Sequence, residues 1–404
     1  MKLSIRDLFL AFFLFLGFMP VSHSDGREAY IRAAILDNGF TENEKLNDGS
    51  KKELAPIGET FFRSEHLSLN GKIACATCHI DAEGSSDGLP NAAGVRGYGE
   101  GVKRFRSGAK IVPRNTLGLW GVGSIGHVNF FWDGKLVKSA EGSVSQFGTN
   151  APSKDLLVVA AHLPAVEIRE TLEEDAFILA NKNESVEGVQ VIYQAIVKNL
   201  IKHEPQAVFE LAEIKKKTPA DLSFTDIAEA IAAFIREDFK IRETRLERFV
   251  FGEERLTTDE LKGAEIFYGK GGCSLCHSGP LFSDQQFHTV VFPSLGFGKN
   301  GFGVDYGRYN VTFNPADLYK FRTPILFNVE KTKPYGHSGS VNTIRGALIS
   351  HVDPLRLIDL EKMDSLGRHE LSKIMANSDV IDKVSYVSDE EIDNLTSFLK
   401  TLSY

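Results

Sequence analysis

Cysteine is scarce in this chain, with four residues in 404, and tryptophan is scarcer, with only Trp120 and Trp132. A disulfide framework of the kind that staples small secreted domains is therefore excluded. Basic charge is also lacking. Lys and Arg number 46 against 54 Asp and Glu, a net charge of −8, which leaves no electrostatic footprint for nucleic acid. A mildly acidic surface serves solubility, or a basic partner. Long apolar runs are missing beyond the N-terminus. The run from Leu8 to Phe18 is short for a bilayer span. It follows Lys2 and Arg6 and precedes Pro20-Val-Ser22-His-Ser24, the layout of a secretory signal peptide cut after Ser24, with an uncleaved anchor as the alternative. No cysteine follows it closely, so a lipid-modified terminus is not expected. The 42% hydrophobic content suffices for ordinary cores, and about 380 residues beyond the leader suggest two domains.

The four cysteines form two copies of one motif, Cys75-Ala-Thr-Cys78-His79 and Cys273-Ser-Leu-Cys276-His277. C-x-x-C-H is the attachment signal for c-type haem: both thiols bond the porphyrin and the histidine becomes an axial iron ligand. Zinc needs no histidine after each pair, and these pairs stand about 200 residues apart. A thioredoxin-like dithiol needs one pair within a βαβ pattern, and disulfides show no preference for this spacing. Two covalent haems are the expectation. Such haems are attached outside the bacterial cytoplasm, so leader and motifs agree on a periplasmic protein with no stable membrane insertion after cleavage.

The approaches to the motifs resemble each other. Gly58-Glu-Thr-Phe-Phe62 precedes the first and Gly263-Ala-Glu-Ile-Phe267 the second, a weak internal repeat. Helical periodicity covers Phe224 to Phe249 and Val189 to Leu211. Capping boxes at Thr257–Glu260 and Ser388–Glu391 open two more helices, the last running to Leu402. Gly- and Asn-rich stretches, Gly84 to Gly108 and Leu295 to Asn314, read as loops folded around haem. The expected fold is mostly α: two cytochrome-c-like haem domains with long irregular loops, the haems near the domain interface. The expected division is a leader over 1–24, a first domain over 25–252 and a second over 253–404.

Further motifs carry a family resemblance. They are Arg114-Asn115-Thr116, Phe130-Phe-Trp132-Asp-Gly134, Cys276-His-Ser-Gly-Pro280 with Phe282-Ser-Asp284 and Phe287-His288, Asp305-x-Gly307-Arg308, Phe321-Arg-Thr-Pro324, and Pro334-Tyr-Gly-His-Ser-Gly339. In this order, spread over Leu54 to Leu402, they resemble the bacterial di-haem cytochrome c peroxidase/MauG superfamily. The resemblance implies two helical haem domains, a calcium ion between them and peroxide-dependent oxidation.

It also implies residue roles. His79 and His277 are the proximal ligands. The family places the sixth ligand of the second haem seventeen residues after the proline of a Thr-x-Pro motif. From Thr332-Lys-Pro334 that position is His351, where simple peroxidases carry Met and MauG carries Tyr. The surrounding Ile349-Ser-His-Val-Asp-Pro354 resembles the His-containing version in MauG-like relatives. The competing reading is a solvated or hydrogen-bonded histidine. A second imidazole in place of Met lowers a haem's potential and shifts expectation towards the MauG side. No His or Met lies between His79 and His127, so the first haem is expected to keep an open position, with His66 and His127 as poorly placed alternatives for a sixth ligand. The acid–base group that assists peroxide cleavage matches Glu170, with His162 near the family's glutamine and Glu167 as competitor. This segment departs most from the family, and solvated carboxylates are the plain alternative. Trp132 matches the tryptophan that relays electrons between haems, whereas Trp120 reads as packing. Asn115, Thr332 and Pro334 match the calcium ligands. His337 is expected near a haem propionate and not on iron.

The cofactors so implied are two covalent haem c groups and one Ca²⁺. The partners are H₂O₂ and either a small electron-donor protein, cytochrome c or cupredoxin, or a protein substrate. Three functions follow: a periplasmic peroxidase with electrons relayed through the second haem, a MauG-like oxidase acting on Trp or Tyr of a partner, or a non-catalytic electron carrier.

Overall fold

The computed structural model describes residues 23–404 apart from 141, 175–185 and 381–382. The leader read over 1–24 thus lies outside the described residues except for His23 and Ser24. None of the described helices is long and apolar enough to cross a membrane.

The chain is mostly helical, and its strands are short antiparallel pairs. The helices that matter below are α1 (His23–Asp37), α2 (Ala55–Arg63), α3 (Leu156–His162), α4 (Val186–His203), α5 (Pro205–Lys215), α6 (Phe224–Asp238), α7 (Arg245–Phe251), α8 (Thr258–Tyr268), α9 (Ile344–Val352) and α10 (Asp389–Lys400). A three-stranded ladder, β1 (Asn129–Phe130), β2 (Leu136–Ser139) and β3 (Gly142–Ser145), frames Trp132. A two-stranded pair, β4 (Phe287–His288) with β5 (Phe321–Arg322), sits beside the second haem motif.

The internal repeat is a repeated helix crossing. Helix α2 crosses α6, and α8 crosses α10, just before each haem motif. At both crossings a glycine lets two backbones touch. A Cβ on Gly58 would lie 1.8 Å from the Ala230 carbonyl oxygen, and one on Gly263 would lie 2.1 Å from that of Asn394. Four residues on in each helix, aromatic rings meet: Phe62 with Phe234 at 5.0 Å between centroids, and Phe267 with Phe398 at 5.2 Å. Small residues at a close crossing with large rings one turn away fill the space without voids.

The two capping boxes expected at Thr257–Glu260 and Ser388–Glu391 are present, and a third, Ser223–Asp226, starts α6. Two long helices are broken. The stretch from Phe224 stops at Asp238, where the Phe239 carbonyl accepts from Gly121 N at 2.9 Å. Helix α7 restarts after Thr244, whose hydroxyl caps Glu247 N. The stretch from Val189 is interrupted at Pro205, which opens α5 because it lacks the N–H a helix interior needs.

Two hydrophobic cores form among the described residues. One gathers buried residues from Leu54 to Phe239, the other Ile241 to Leu402 together with Ile31, Ile35, Phe40 and Leu46. Helix α1 therefore packs with the second half. Arg27 pairs with Glu265 on α8, Arg32 lies over the Phe249 ring at 4.0 Å, and Asn43 bonds to Glu247 and Arg242. Continuity along the chain suggested otherwise, but the apolar stripe of α1 finds its partner about 200 residues downstream.

Gly58→Ala and Gly263→Ala are expected to cost about 1–3 kcal/mol each through overpacking at a backbone contact, whereas Gly49→Ala, with open space around it, should be near neutral. Thermal unfolding of the holoprotein checks this; equal melting temperatures for all three variants would contradict the crossing argument.

Candidate active site

The two haem motifs fold alike. Each begins a single 3₁₀ turn, Cys75–Thr77 and Cys273–Leu275. The carbonyl of the first cysteine accepts from the histidine's backbone N–H, at 3.0 Å for His79 and 2.8 Å for His277. This brings the two cysteines and the histidine to one side of a tight turn. Each imidazole is then oriented by a backbone carbonyl: His79 Nδ1 lies 2.8 Å from Ser85 O, and His277 Nδ1 2.9 Å from Phe282 O. A carbonyl only accepts, so Nδ1 carries the proton and Nε2 keeps its lone pair, the tautomer that binds iron. Burial lowers the pKa of both rings, that of His277 to about 4, so both are neutral.

The second motif lines a cavity of about 240 Å³. His351 on α9 lines the same cavity, its Nδ1 held by Ala347 O at 2.8 Å. His351 stands close enough to His277 to help lower the pKa of that ring, after burial. Both present Nε2 as the available nitrogen, as two axial ligands would. His288, bonded to Asp284 at 2.8 Å, completes this wall beside Cys276. His337 also lines the cavity and stacks on Phe321 at 3.9 Å.

Trp132 faces this cavity, with its indole N–H donated to Asn115 O at 2.8 Å. Trp120, read from sequence as packing, packs edge-on against Phe239 and Tyr404 but lines the same cavity. Asn115 Nδ2 lies 2.6 Å from Pro334 O, and Asn115 Oδ1 is buried without a partner. An orphaned amide oxygen beside a backbone carbonyl is a donor set that fits a hard cation.

Near the first motif Glu167 is paired with Lys135 at 3.0 Å, and Glu170 also raises the pKa of that lysine. Glu170 bears on the motif too: burial first, then its carboxylate, pushes the Cys75 thiol up to about 12. The turn that carries Glu170 contains Arg169 at φ +73°. The Arg169 carbonyl docks onto Gly94, where a Cβ would lie 1.8 Å away, and accepts from Val95 N at 2.9 Å. Strained turns of this kind are found at functional sites. His162, aligned in sequence with the family's glutamine near this acid, is a buried side chain. It is 2% exposed, its Nδ1 is held by Val158 O and its Nε2 by Thr225 Oγ1, and it packs on Tyr193 and Phe224. With both nitrogens engaged, it acts as a core side chain. His66 stacks on His203 at 3.8 Å. His127 is buried against Phe130 with neither ring nitrogen bonded.

The motifs between the two haem sites meet at Arg114. Its guanidinium spans Asp305, at 2.8 and 2.9 Å, and Asp133, at 2.5 Å; Lys299 adds a second cation to Asp133 at 3.4 Å. Burial works against ionisation of Asp133, but Arg114, then Lys299 and Lys135, holds its carboxyl far below the usual range. Asp305 is held down the same way, chiefly by Arg114. Sequence reasoning quoted these residues as motifs without finding the clamp, because no local pattern pairs Arg114 with a carboxylate 191 residues away.

Residues 52–255 match the family model described as di-haem cytochrome c peroxidase. The chain belongs to this family. Among curated relatives of the di-haem peroxidases, it is 24% identical over 314 residues to the cytochrome-c peroxidase IdrP2 of Denitromonas iodatirespirans, covering 72% of this chain and 71% of that protein. It is 25% identical over 328 residues to the methylamine utilization protein MauG of Methylorubrum extorquens, covering 79% and 75%. A solved MauG-like protein associated with microbial copper homeostasis shares the fold, with a TM-score of 0.62 over 91% of both chains at 22% identity. Di-haem peroxidases are oxidoreductases with haem cofactors, and this chain is one of them.

Removing Arg114 strands two buried carboxylates, so Arg114→Ala should cost about 3–5 kcal/mol, and Arg114→Lys, lacking the planar fork, should not restore it. Chemical denaturation reads both. Because Asp133 and Asp305 have lowered folded pKa values, their stabilisation is complete above the unfolded value of about 4 and is lost as pH falls below it. Arg114→Ala should flatten that acid limb; an unchanged limb would remove the clamp from the account.

Proposed function

We propose that the chain is a periplasmic di-haem peroxidase in which H₂O₂ reacts at the site of Cys75, Cys78 and His79, and electrons arrive through the site of Cys273, Cys276, His277 and His351. The observation that carries this reading is the shared cavity of His277 and His351, each with Nδ1 spent on a carbonyl. A site closed by two imidazoles suits electron transfer and leaves peroxide to the other. The paired thiols suit covalent c-type attachment, and the two hydrophobic cores suit two haem-bearing units. Asn115, Thr332 and Pro334 suit a calcium ion at their junction.

When bound, the haem irons supply peroxide reduction at one site and one-electron transfer at the other. The protein's own part is orientation and proton movement. Ser85 and Phe282 fix the proximal rings, Glu170 moves a proton between the peroxide oxygens, and Trp132 carries charge between the sites. His162 falls out of the catalytic set. The donor is a small redox protein, cytochrome c or cupredoxin.

A second reading, a MauG-like oxidase acting on Trp or Tyr of a partner protein, is favoured by the same histidine pair. A second imidazole lowers the potential relative to Met and makes the site a poorer acceptor from a high-potential donor. Rapid turnover with reduced cytochrome c would exclude this second reading. A non-catalytic carrier would leave added peroxide unconsumed.

Spectroscopy of the purified holoprotein tests the proposal. One low-spin bis-imidazole EPR signal and one high-spin signal are expected, and His351→Ala should remove the first; its persistence would overturn the ligand assignment. Glu170→Gln should slow the reaction with peroxide by about 10²–10⁴-fold with both EPR signals intact, and an unchanged rate would refute the acid.

A further inference from the structure

We propose that Trp120 is a second electron-relay side chain between the two haem sites, on a route separate from Trp132; the proposal rests on the di-haem reading above. The indole lines the cavity of Cys273, His277 and His351. Its N–H donates to Gly84 O at 3.0 Å, and the next carbonyl along the chain, Ser85 O, holds His79 Nδ1 at 2.8 Å. A ring in the wall of the second site is thus one peptide unit from the acceptor that orients the proximal imidazole of the first. The link from Trp132 is longer. It runs through Asn115 O, then Thr116 O to the Ser86 hydroxyl, and only from there to Ser85.

The Trp120 connection is rigid. Ser85 is fully buried, and its hydroxyl donates to Gly84 O and accepts from Leu119 N at 2.7 Å. Gly84, at φ +65°, lies so close to the second half that a Cβ would meet Lys331 O at 2.6 Å. Phe239 and Tyr404 pin the indole edge-on, each at 5.4 Å. The contacts also set the chemistry. The indole couples the two sites for electron tunnelling without itself losing an electron, so Trp120 ends unchanged. The indole keeps its proton throughout, because Gly84 O is a carbonyl and not a base. The Arg242 guanidinium, 6.0 Å from the ring, disfavours a positive charge resting there, so charge passes on and does not stay.

The test needs no peroxide. Photoreduction of the holoprotein, followed by absorption, measures how fast an electron equilibrates between the haems. Trp120→Phe should slow this by about tenfold or more, and the double variant with Trp132→Phe should be slower than either single one. In the Trp132→Phe background Trp120 is the sole tryptophan. Replacing it biosynthetically with 5-fluorotryptophan, of nearly the same shape but harder to oxidise, should slow transfer again with both EPR signals unchanged. This arm also covers the case in which Trp120→Phe fails to load haem. Equilibration within twofold of the parent in either arm overturns the proposal. A slowed Trp120 variant in a protein that ignores peroxide would retain the relay and discard the peroxidase reading.

Discussion

Arg114 is buried between Asp133 and Asp305, and its charge cannot leave without stranding theirs. Taking such ions out of water is costly, and a buried pair is a weak source of net stability. Its value lies in register. Asp133 follows Trp132, and Asp305 lies near enough to His337, in the cavity wall, to be affected by its charge. With Asn115 beside it reaching Pro334 O, the arginine sets the distance between the two halves. Trp132, the candidate calcium ligands and the wall of the cavity all lie around this one fork of N–H donors.

The rest of the architecture is a small device used twice. A helix with a glycine crosses a second helix, phenylalanines close the space one turn on, and the chain then enters a C-x-x-C-H turn. That turn has little regular structure of its own, so the proximal imidazole needs an external guide. In both halves a backbone carbonyl five or six residues downstream provides it. The irregular loops therefore act as rigid parts of the sites, positioning ring nitrogens and peptide oxygens where helices do not reach.

The two halves differ where chemistry requires it. His351 lines the cavity of the second motif, while a strained turn bearing Glu170 lies near the first. Lys135 bonds Glu167 and also feels the charge of Glu170, whose carboxylate bears on Cys75. His162 shows the opposite case: a residue aligned with a catalytic position becomes part of the helical core because Val158 and Thr225 take both of its nitrogens.

Local pattern made much of this legible. Cysteine spacing marked both haem motifs and Ser/Thr-x-x-Glu marked two helix starts, because each is a short-range constraint written in a few adjacent residues, whereas His351 was reached only through the family resemblance. The sequence by itself therefore determined two attached haems, a helical class and an exported enzyme family as expectations. Only the tertiary structure decided which core owns helix α1, that Arg114 joins Asp133 to Asp305, that His162 is packed, and that Trp120 lines the second cavity while bonding to the carbonyl beside the one that holds His79. The longest of these contacts cross 191 residues, from Arg114 to Asp305, and 238, from Arg27 to Glu265, and are fixed by complementary shape and charge on surfaces that exist only once both halves have folded.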